Sequence, residues 1–276
     1  MHGIGNDFVM LDCTSDGPPA VDPAELSRAM CDRKFGVGAD GIIFMERAGP
    51  PAFRMRMFNP DGSESEMCGN GVRCVARYLL DEGLVPGPTV VVETGNGPLT
   101  LEQAGDGQIR VDMGPAGLTR GEIGMRGPAD ERFVGVPVSV GTATFSGTAV
   151  SMGNPHLVLI VDDADSIDLA EVGPSLENHE LFTGRTNVHF VQVLDSARIV
   201  QRTWERGAGE TLACGTGACA STVAAFLNDL IGRVADVELP GGRLHVEYLE
   251  SGHVFMTGPT ATVYDGEWAL EQPLAL

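Results

Sequence analysis

The stretch DGSESEMCGNGVRCVARYL, from Asp61 to Leu79, has a second, altered copy in WERGAGETLACGTGACAS, from Trp204 to Ser221. In both copies a glutamate stands four residues before a cysteine, and Gly-x-Gly follows it. The glycines leave the sulfur bare and let backbone come close to whatever lies beside it. Because the cysteines concerned, Cys68 and Cys214, lie in different halves of the 276-residue chain, the likeness suggests an internal duplication.

Other landmarks recur in the same order around each cysteine. A Gly-Asn pair that begins an apolar run comes first, at Asn6 and at Asn154. A strand, a glycine turn and a strand follow each cysteine, as VVVETGNGPLTLEQ and DVELPGGRLHVEYLE, and a Gly-Pro pair closes each copy. We therefore predict two duplicated domains, over residues 1–117 and 118–263.

The two copies differ at their starts. Asn154 is preceded by the strand-like run TATFSGTAVSM, whereas Asn6 has only five residues before it. We predict that the C-terminal tail, 264–276, completes the first domain and that the run TATVYDGEWAL, 260–270, supplies the missing strand.

The residues after each cysteine have the spacing of one apolar helix face, and the segments around them read as short antiparallel strands. The predicted faces comprise Val72, Val75, Ala76, Leu79 and Leu80 in the first copy, and Val223, Phe226, Leu227, Leu230 and Ile231 in the second. The predicted fold class is α+β, with two pseudo-symmetric duplicated domains. Each is a largely antiparallel β-sheet wrapped around a central helix, and the active site is expected in the cleft between them.

The composition limits the partners and the compartment. A formal net charge of −20 argues against nucleic acid or an anionic membrane as a partner. The longest apolar run, LVLIV at 157–161, is too short to span a bilayer. The first residues do not resemble a signal peptide, so we expect six reduced thiols in a cytoplasmic protein.

The cysteines divide into two kinds. Four occur within strand or helix patterns and are expected to be small buried hydrophobic residues, namely Cys13, Cys31, Cys74 and Cys219. Cys68 and Cys214 instead stand at helix N-termini, where the macrodipole lowers a thiol pKa from about 8.5 toward neutrality. The same helix ends can bind a carboxylate. One thiolate could remove a proton from a carbon while a second thiol returns one, which inverts the stereocentre.

Three other uses of these motifs are less consistent with the spacing. A zinc site is disfavoured because the C-x5-C and C-x4-C pairs have no nearby histidine, and we predict no metal. A dithiol redox protein would more often contain C-x-x-C, which is absent. GVGADG, at 36–41, matches G-x-G-x-x-G but precedes a strand-like run, so it does not fit a dinucleotide site.

Five segments resemble the diaminopimelate epimerase family, and the match runs nearly end to end. They are MHGIGNDF, GADG, MFNPDGSESEMCGNGVRC, SMGNPHLV and ERGAGETLACGTGACA. The resemblance implies an enzyme without pyridoxal phosphate or any other cofactor. Its implied reaction interconverts LL- and meso-diaminopimelate, on the route to lysine and peptidoglycan.

The resemblance also implies roles for individual residues, with Cys68 and Cys214 as the acid/base pair. The implied substrate-binding residues are Asn6, Asn59, Gly69, Asn70, Asn154, Asn187, Glu205, Arg206, Gly215 and Thr216. Among these, the backbone N–H groups of Gly69, Gly215 and Thr216 would bind the reacting α-carboxylate. Glu205 would bind the distal ammonium, and Arg206 would bind the distal carboxylate through the bidentate fork of its guanidinium. His156 and Glu205 would tune the thiols, and Tyr264 would contact the partner in a homodimer.

Two alternatives stay open. The same fold could racemise another amino acid, with different contacts around Glu205 and Arg206. The chain could also be a non-catalytic amino-acid-binding protein or a thiol sensor. A binding protein needs anion-binding helix ends but not paired thiols, so the two cysteines in matching loops favour an enzyme.

Overall fold

The computed structural model describes residues 1–49 and 52–269. The chain divides into two units. Unit 1 comprises Met1–Val111 together with the chain from Gly258 onward, and unit 2 comprises Asp112–Thr257. The predicted boundaries at 117 and 263 thus lie several residues beyond the points where the chain passes between units.

Unit 1 contains two helices among its strands. The helices are α1 (Pro23–Cys31) and α2 (Gly69–Asp81), and a 3₁₀ turn covers Gly105–Gly107. The strands are β1 (His2–Gly3), β2 (Asn6–Cys13), β3 (Gly41–Gly49), β4 (Ala52–Phe58), β5 (Glu64–Ser65), β6 (Thr89–Thr94), β7 (Gly97–Gln103) and β8 (Ile109–Pro115), the last of which extends past the unit boundary.

Unit 2 repeats this order and adds one strand and one short helix at its start. Its helices are α3 (Arg120–Ile123), α4 (Leu169–Glu177) and α5 (Gly215–Leu227). Its strands are β9 (Val136–Val140), β10 (Ala143–Ser151), β11 (Pro155–Ile160), β12 (Asn187–Asp195), β13 (Arg198–Glu205), β14 (Gly209–Thr211), β15 (Val234–Leu239), β16 (Gly242–Tyr248) and β17 (His253–Gly258). From β10 onward each element has a counterpart in unit 1, which confirms the duplicated architecture.

The strand pairings match across the repeat and include two parallel pairs in each unit. In unit 1, β2 pairs with β3 and β4 with β6 in parallel, and in unit 2, β11 pairs with β12 and β13 with β15. The remaining pairs of strands that follow each other in the chain are antiparallel. The sheets are therefore mixed, because the crossovers that carry the helices bring strands back in the same direction.

Each unit surrounds one buried helix, as the apolar spacing predicted. Helix α5 packs against β10, β11, β12, β13, β15 and β16, and α2 packs against β1, β2, β4, β6 and β7. In α2 the predicted face is buried at Val72, Val75, Ala76 and Leu79. In the second copy the predicted face extends too far, since α5 ends at Leu227. Two residues later Asp229 adopts a φ of 58°, a left-handed conformation that cannot continue a helix.

Strand β1 of unit 1 and its counterpart β10 in unit 2 pair with their surroundings in matching ways. In unit 2, Ser151 of β10 exchanges two backbone hydrogen bonds of 2.9 Å with Gly117. In unit 1, His2 of β1 exchanges two such bonds of 2.9 Å with Ala261. The predicted tail strand is therefore reduced to this bridge, because residues 262–269 form no regular secondary structure. The rest of the predicted tail, 270–276, lies outside the described residues.

Candidate active site

Cys68 is the residue that caps the N-terminus of α2. Its φ and ψ of −139° and 115° are extended, and its sulfur accepts a hydrogen bond from the Gly71 N–H at 3.5 Å. The sulfur also lies 3.7 Å from Oδ1 of Asn6, to which the thiol donates. A negative sulfur at this place is stabilised by the helix end, whose first N–H groups have no intrahelical acceptor.

Asn6 links Cys68 to a charged group that sequence reasoning missed. Its Nδ2 donates to Asp40 Oδ2 at 2.8 Å, and Arg33 donates to both Asp40 and Asp7 at 2.8 Å. Burial raises the pKa of Asp7, but the hydrogen bond and charge of Arg33 outweigh it and hold that pKa below its usual value. The hydrogen bond to Asp40, itself held by Arg33, therefore fixes the Asn6 amide with its oxygen toward the thiol.

Asn70 extends the same group inside α2. Its Nδ2 donates to Asn6 Oδ1 at 3.1 Å, and its own Oδ1 accepts from Nη2 of Arg73 at 2.9 Å. Arg73 is fully buried and also donates to the Gly69 carbonyl at 3.1 Å. The structure thus brings together three predicted residues, Cys68, Asn6 and Asn70, and adds Arg73 as their support.

Cys214 occupies the equivalent place in unit 2. It caps α5 with an extended backbone, at φ −124° and ψ 105°, and its sulfur lies 3.7 Å from the Thr216 hydroxyl. Cys68 is partly exposed, whereas Cys214 is only 5% exposed, so the prediction of a bare sulfur is met only in unit 1. The N–H groups of Gly215 and Thr216, at the start of the helix, have no intrahelical acceptor, as at any helix N-terminus.

The counterpart of the Asn6 group in unit 2 is built on histidine. Oδ1 of Asn154 lies 2.8 Å from Nε2 of His156, and Nδ1 of His156 lies 2.8 Å from Nε2 of His189. Burial, the neighbouring His189 and the charge of Arg206 place the pKa of His156 well below 6.5, and burial lowers the pKa of His189 to about 3. Both rings are therefore neutral near pH 7. With both of its nitrogens engaged in this way, His156 makes no hydrogen bond to a thiol within residues 1–49 and 52–269.

Asn187, Glu205 and Arg206 lie near the same ends of β11 and β12. Asn187 pairs with His156 across these strands, donates to the Pro155 carbonyl at 3.0 Å and accepts the Arg206 N–H at 3.0 Å. Glu205 accepts a 2.6 Å hydrogen bond from the Thr211 hydroxyl. The Arg206 side chain is exposed, and its guanidinium has no carboxylate partner in the described part of the chain.

A buried carboxylate that the sequence did not reveal holds the loop that carries Arg206. Glu177, at the end of α4, accepts from Trp204 Nε1 at 2.8 Å, the Gly207 N–H at 2.9 Å and Arg185 Nη1 at 3.1 Å. In unit 1, Ser27 of α1 donates at 2.6 Å to the carbonyl of Asn59, the counterpart of Glu205. In both units, then, the first long helix fixes the turn that carries a predicted substrate-binding residue.

The remaining cysteines have the environment expected of structural thiols. All four are buried. Burial, with the charges of Glu46 and Asp12, raises the pKa of Cys13 to about 11, and burial raises the pKa of Cys74 to about 12. These two thiols stay protonated near pH 7 and are not nucleophiles.

Three further observations concern metals, membranes and Tyr264. Across residues 1–49 and 52–269, no three His, Cys, Asp or Glu side chains are grouped so as to hold a metal ion. No helix in these ranges has the length and apolar character needed to cross a bilayer. Tyr264 is 59% exposed.

Comparison with known proteins identifies the family. The diaminopimelate epimerase family model matches residues 1–119 and 148–263. The diaminopimelate epimerase of Pelotomaculum thermopropionicum is 48% identical over 271 residues, which cover 97% of this chain and 96% of that protein. That of Leptospira biflexa is 46% identical over 272 residues, with 97% and 96% coverage.

A solved structure agrees at the level of the fold. The hydroxyproline epimerase of Agrobacterium vitis superposes with a TM-score of 0.69 at 14% sequence identity, over 99% of this chain and 92% of that one. At such low identity the likeness concerns the fold alone. The family match and the near full-length identities go further: the chain belongs to the diaminopimelate epimerase family.

Proposed function

We propose that this protein interconverts LL- and meso-2,6-diaminopimelate by proton transfer at Cα, with Cys68 and Cys214 as the two bases. The observation that carries the chemistry is the equivalent position of the two cysteines, each of which caps the buried helix of its unit. The identity of 46–48% to diaminopimelate epimerases carries the choice of substrate.

The proposed step moves one proton off a carbon and another onto it. One cysteine, as thiolate, takes the Cα proton and becomes a thiol, and the electron pair of the C–H bond moves onto Cα and its carboxylate. The other cysteine, as thiol, gives its proton to Cα from the opposite face and becomes a thiolate. The configuration is inverted, no electrons leave the substrate, and the reverse reaction uses the same groups in exchanged roles.

The helix ends supply the electrostatic stabilisation that so weak a carbon acid requires. Backbone N–H groups at Gly69, Gly215 and Thr216 would donate to the α-carboxylate, where charge increases as the C–H bond breaks. The exposed guanidinium of Arg206 suits the distal carboxylate, and Glu205 suits the distal ammonium. Asn6, Asn59, Asn70, Asn154 and Asn187 would hold the remaining polar groups of the substrate.

Further parts of the proposal concern cofactor, assembly and compartment. The thiols supply both proton-transfer groups, so the reaction is proposed to need no pyridoxal phosphate or other cofactor. We also propose a homodimer in the cytoplasm, with the exposed Tyr264 at the contact between the two copies.

The proposal is tested by incubating the reduced protein with LL-diaminopimelate in D₂O and following the stereochemistry and the deuterium content at Cα. Conversion to the meso isomer with deuterium at Cα supports the proposal. We expect Cys68→Ala and Cys214→Ala each to abolish conversion, whereas Cys13→Ala, which removes a buried thiol outside the site, keeps it. Unchanged conversion in either of the first two variants contradicts the two-thiol mechanism, and no conversion by the folded, reduced wild type contradicts the substrate.

A further inference from the structure

A continuous chain of buried polar side chains runs from the interior of unit 2 to Asn154. Gln201 Nε2 lies 2.9 Å from Thr203 Oγ1, which lies 3.0 Å from Nδ1 of His189. The chain continues through His189 and His156, at 2.8 Å for each contact, to the oxygen of Asn154. Gln201, His189 and His156 are fully buried, and Thr203 is 2% exposed.

The groups at the two ends determine the direction of every hydrogen bond. Oδ1 of Asn154 can only accept, so Nε2 of His156 carries its proton. Because this ring is neutral, its Nδ1 has a free lone pair and accepts from the Nε2–H of His189. The Nδ1 of His189 then accepts from the Thr203 hydroxyl, whose oxygen accepts from the Gln201 amide. All four bonds therefore point the same way, toward Asn154.

Unit 1 shows that the fold itself does not require this chain. The strand registers place Phe8 where unit 2 has His156, and Ile43 where it has His189. The same repeat gives Met57 for Thr203 and Met55 for Gln201. These four residues are buried and apolar. Burying polar groups costs free energy that an apolar filling does not, so the polar layer of unit 2 calls for a reason other than packing.

We propose that His189 is a positioning residue that fixes the tautomer of His156 and, through it, the orientation of the Asn154 amide. This inference rests on the proposed function. With Oδ1 of Asn154 held by His156, the Nδ2 group is left to donate to a substrate oxygen. Asn6 is held in the reverse sense, because its Nδ2 donates to Asp40 and its Oδ1 faces Cys68. In unit 1 the asparagine oxygen thus accepts from the thiol, whereas in unit 2 the asparagine keeps its NH2 group to donate.

The test uses two substitutions of His189. His189→Ile copies Ile43 of unit 1. The two positions have similar surroundings, because Gly71 packs against Ile43 and Gly217 packs against His189, and a Cβ at either glycine would clash with that side chain. His189→Gln keeps an N–H donor near the place of Nε2. Phe190→Leu, at the neighbouring buried position of β12, is the control for altered packing. The tautomer of His156 is read from long-range ¹H–¹⁵N NMR spectra, and kcat and KM are measured with LL-diaminopimelate.

We expect wild-type His156 to be protonated at Nε2 alone. His189→Ile is expected to give mixed tautomers and to lower kcat/KM about ten-fold, mainly through KM, as expected for one lost hydrogen bond. His189→Gln and Phe190→Leu should keep the tautomer, and the former should stay within about three-fold of the wild-type kcat/KM.

Protonation of wild-type His156 at Nδ1 would overturn the inference, as would a His189→Ile variant with unchanged tautomer and kcat/KM. If His189→Ile does not fold, the wild-type tautomer and the His189→Gln kinetics decide. A wild type that shows the Nε2 tautomer but does not epimerise diaminopimelate refutes the proposed function and leaves the hydrogen-bond chain standing.

Discussion

The two buried histidines should make unit 2 sensitive to mild acid. The folded protein keeps the pKa of His156 well below 6.5 and that of His189 at about 3, whereas both return to about 6.5 in the unfolded chain. As the pH falls below 6.5, the unfolded state binds protons that the folded state does not, so the free energy of unfolding falls. Above pH 6.5 both states carry neutral rings and the effect disappears.

The size of the effect follows from these pKa values. Each histidine costs about 1.4 kcal/mol of stability per pH unit below the unfolded pKa. Two histidines therefore lower the free energy of unfolding by about 3 kcal/mol between pH 7.5 and 5.5. The carboxyl group of Asp7 has a lowered pKa, so its contribution is present above about pH 4 and is lost below it, outside this window.

Urea unfolding at the two pH values measures this difference. Trp204 lies in unit 2 and reports on it, provided that Trp268, in unit 1, is replaced by phenylalanine. The double variant His156→Phe/His189→Ile, which copies Phe8 and Ile43 of unit 1, is expected to lose most of the pH dependence. The reasoning would be refuted if the free energy of unfolding of the Trp268→Phe protein fell by less than about 1 kcal/mol between pH 7.5 and 5.5. It would also be refuted if the double variant showed the full fall of about 3 kcal/mol.

Two further predictions concern the supports of the site. Glu177→Gln replaces one carboxylate oxygen with an NH2 group, which then faces either the Trp204 Nε1–H or the N–H groups of Gly207 and Arg185. The loop that carries Arg206 should therefore loosen, and KM should rise several-fold in steady-state assays. An unchanged KM would show that the loop holds without this carboxylate. Gly217→Ala would place a Cβ 2.2 Å from Cε1 of His189 and should cost about 1–3 kcal/mol in thermal unfolding. Gly184→Ala, where a Cβ meets nothing within 4 Å, is its control, and equal stability of the two variants would count against close packing at Gly217.

Local patterns in the sequence predicted much of this architecture. The helix starts at Cys68 and Cys214 follow from glycine spacing and apolar periodicity, because both are properties of a short segment. The order of elements follows from the repeat. The parallel pairings were not predicted, since alternation within a strand contains no information about the direction of its partner. The end of α5 was missed because Leu230 and Ile231 continue the apolar spacing, although the left-handed conformation of Asp229 does not allow the helix to continue.

The supports of the site were less accessible to sequence reasoning. His189 lies in the alternating run NVHFVQV, which indicates a strand but does not reveal that its ring contacts His156 and Thr203. Glu177 and Arg73 are charged residues within helices, where exposure is the ordinary expectation, and both are buried. In each case the deciding contact joins residues from different elements, so it exists only once the chain has folded.

The filling of equivalent positions by Phe8 and Ile43 in one unit and by His156 and His189 in the other has an evolutionary consequence. In an assembly of two identical chains, one substitution changes both copies of a site, so the copies cannot acquire different chemistry. Once the two copies are joined in a single gene product, each can change alone. The fused chain can keep an apolar layer in one half and a chain of hydrogen-bonded side chains in the other. It can therefore treat the two similar ends of a nearly symmetric molecule differently.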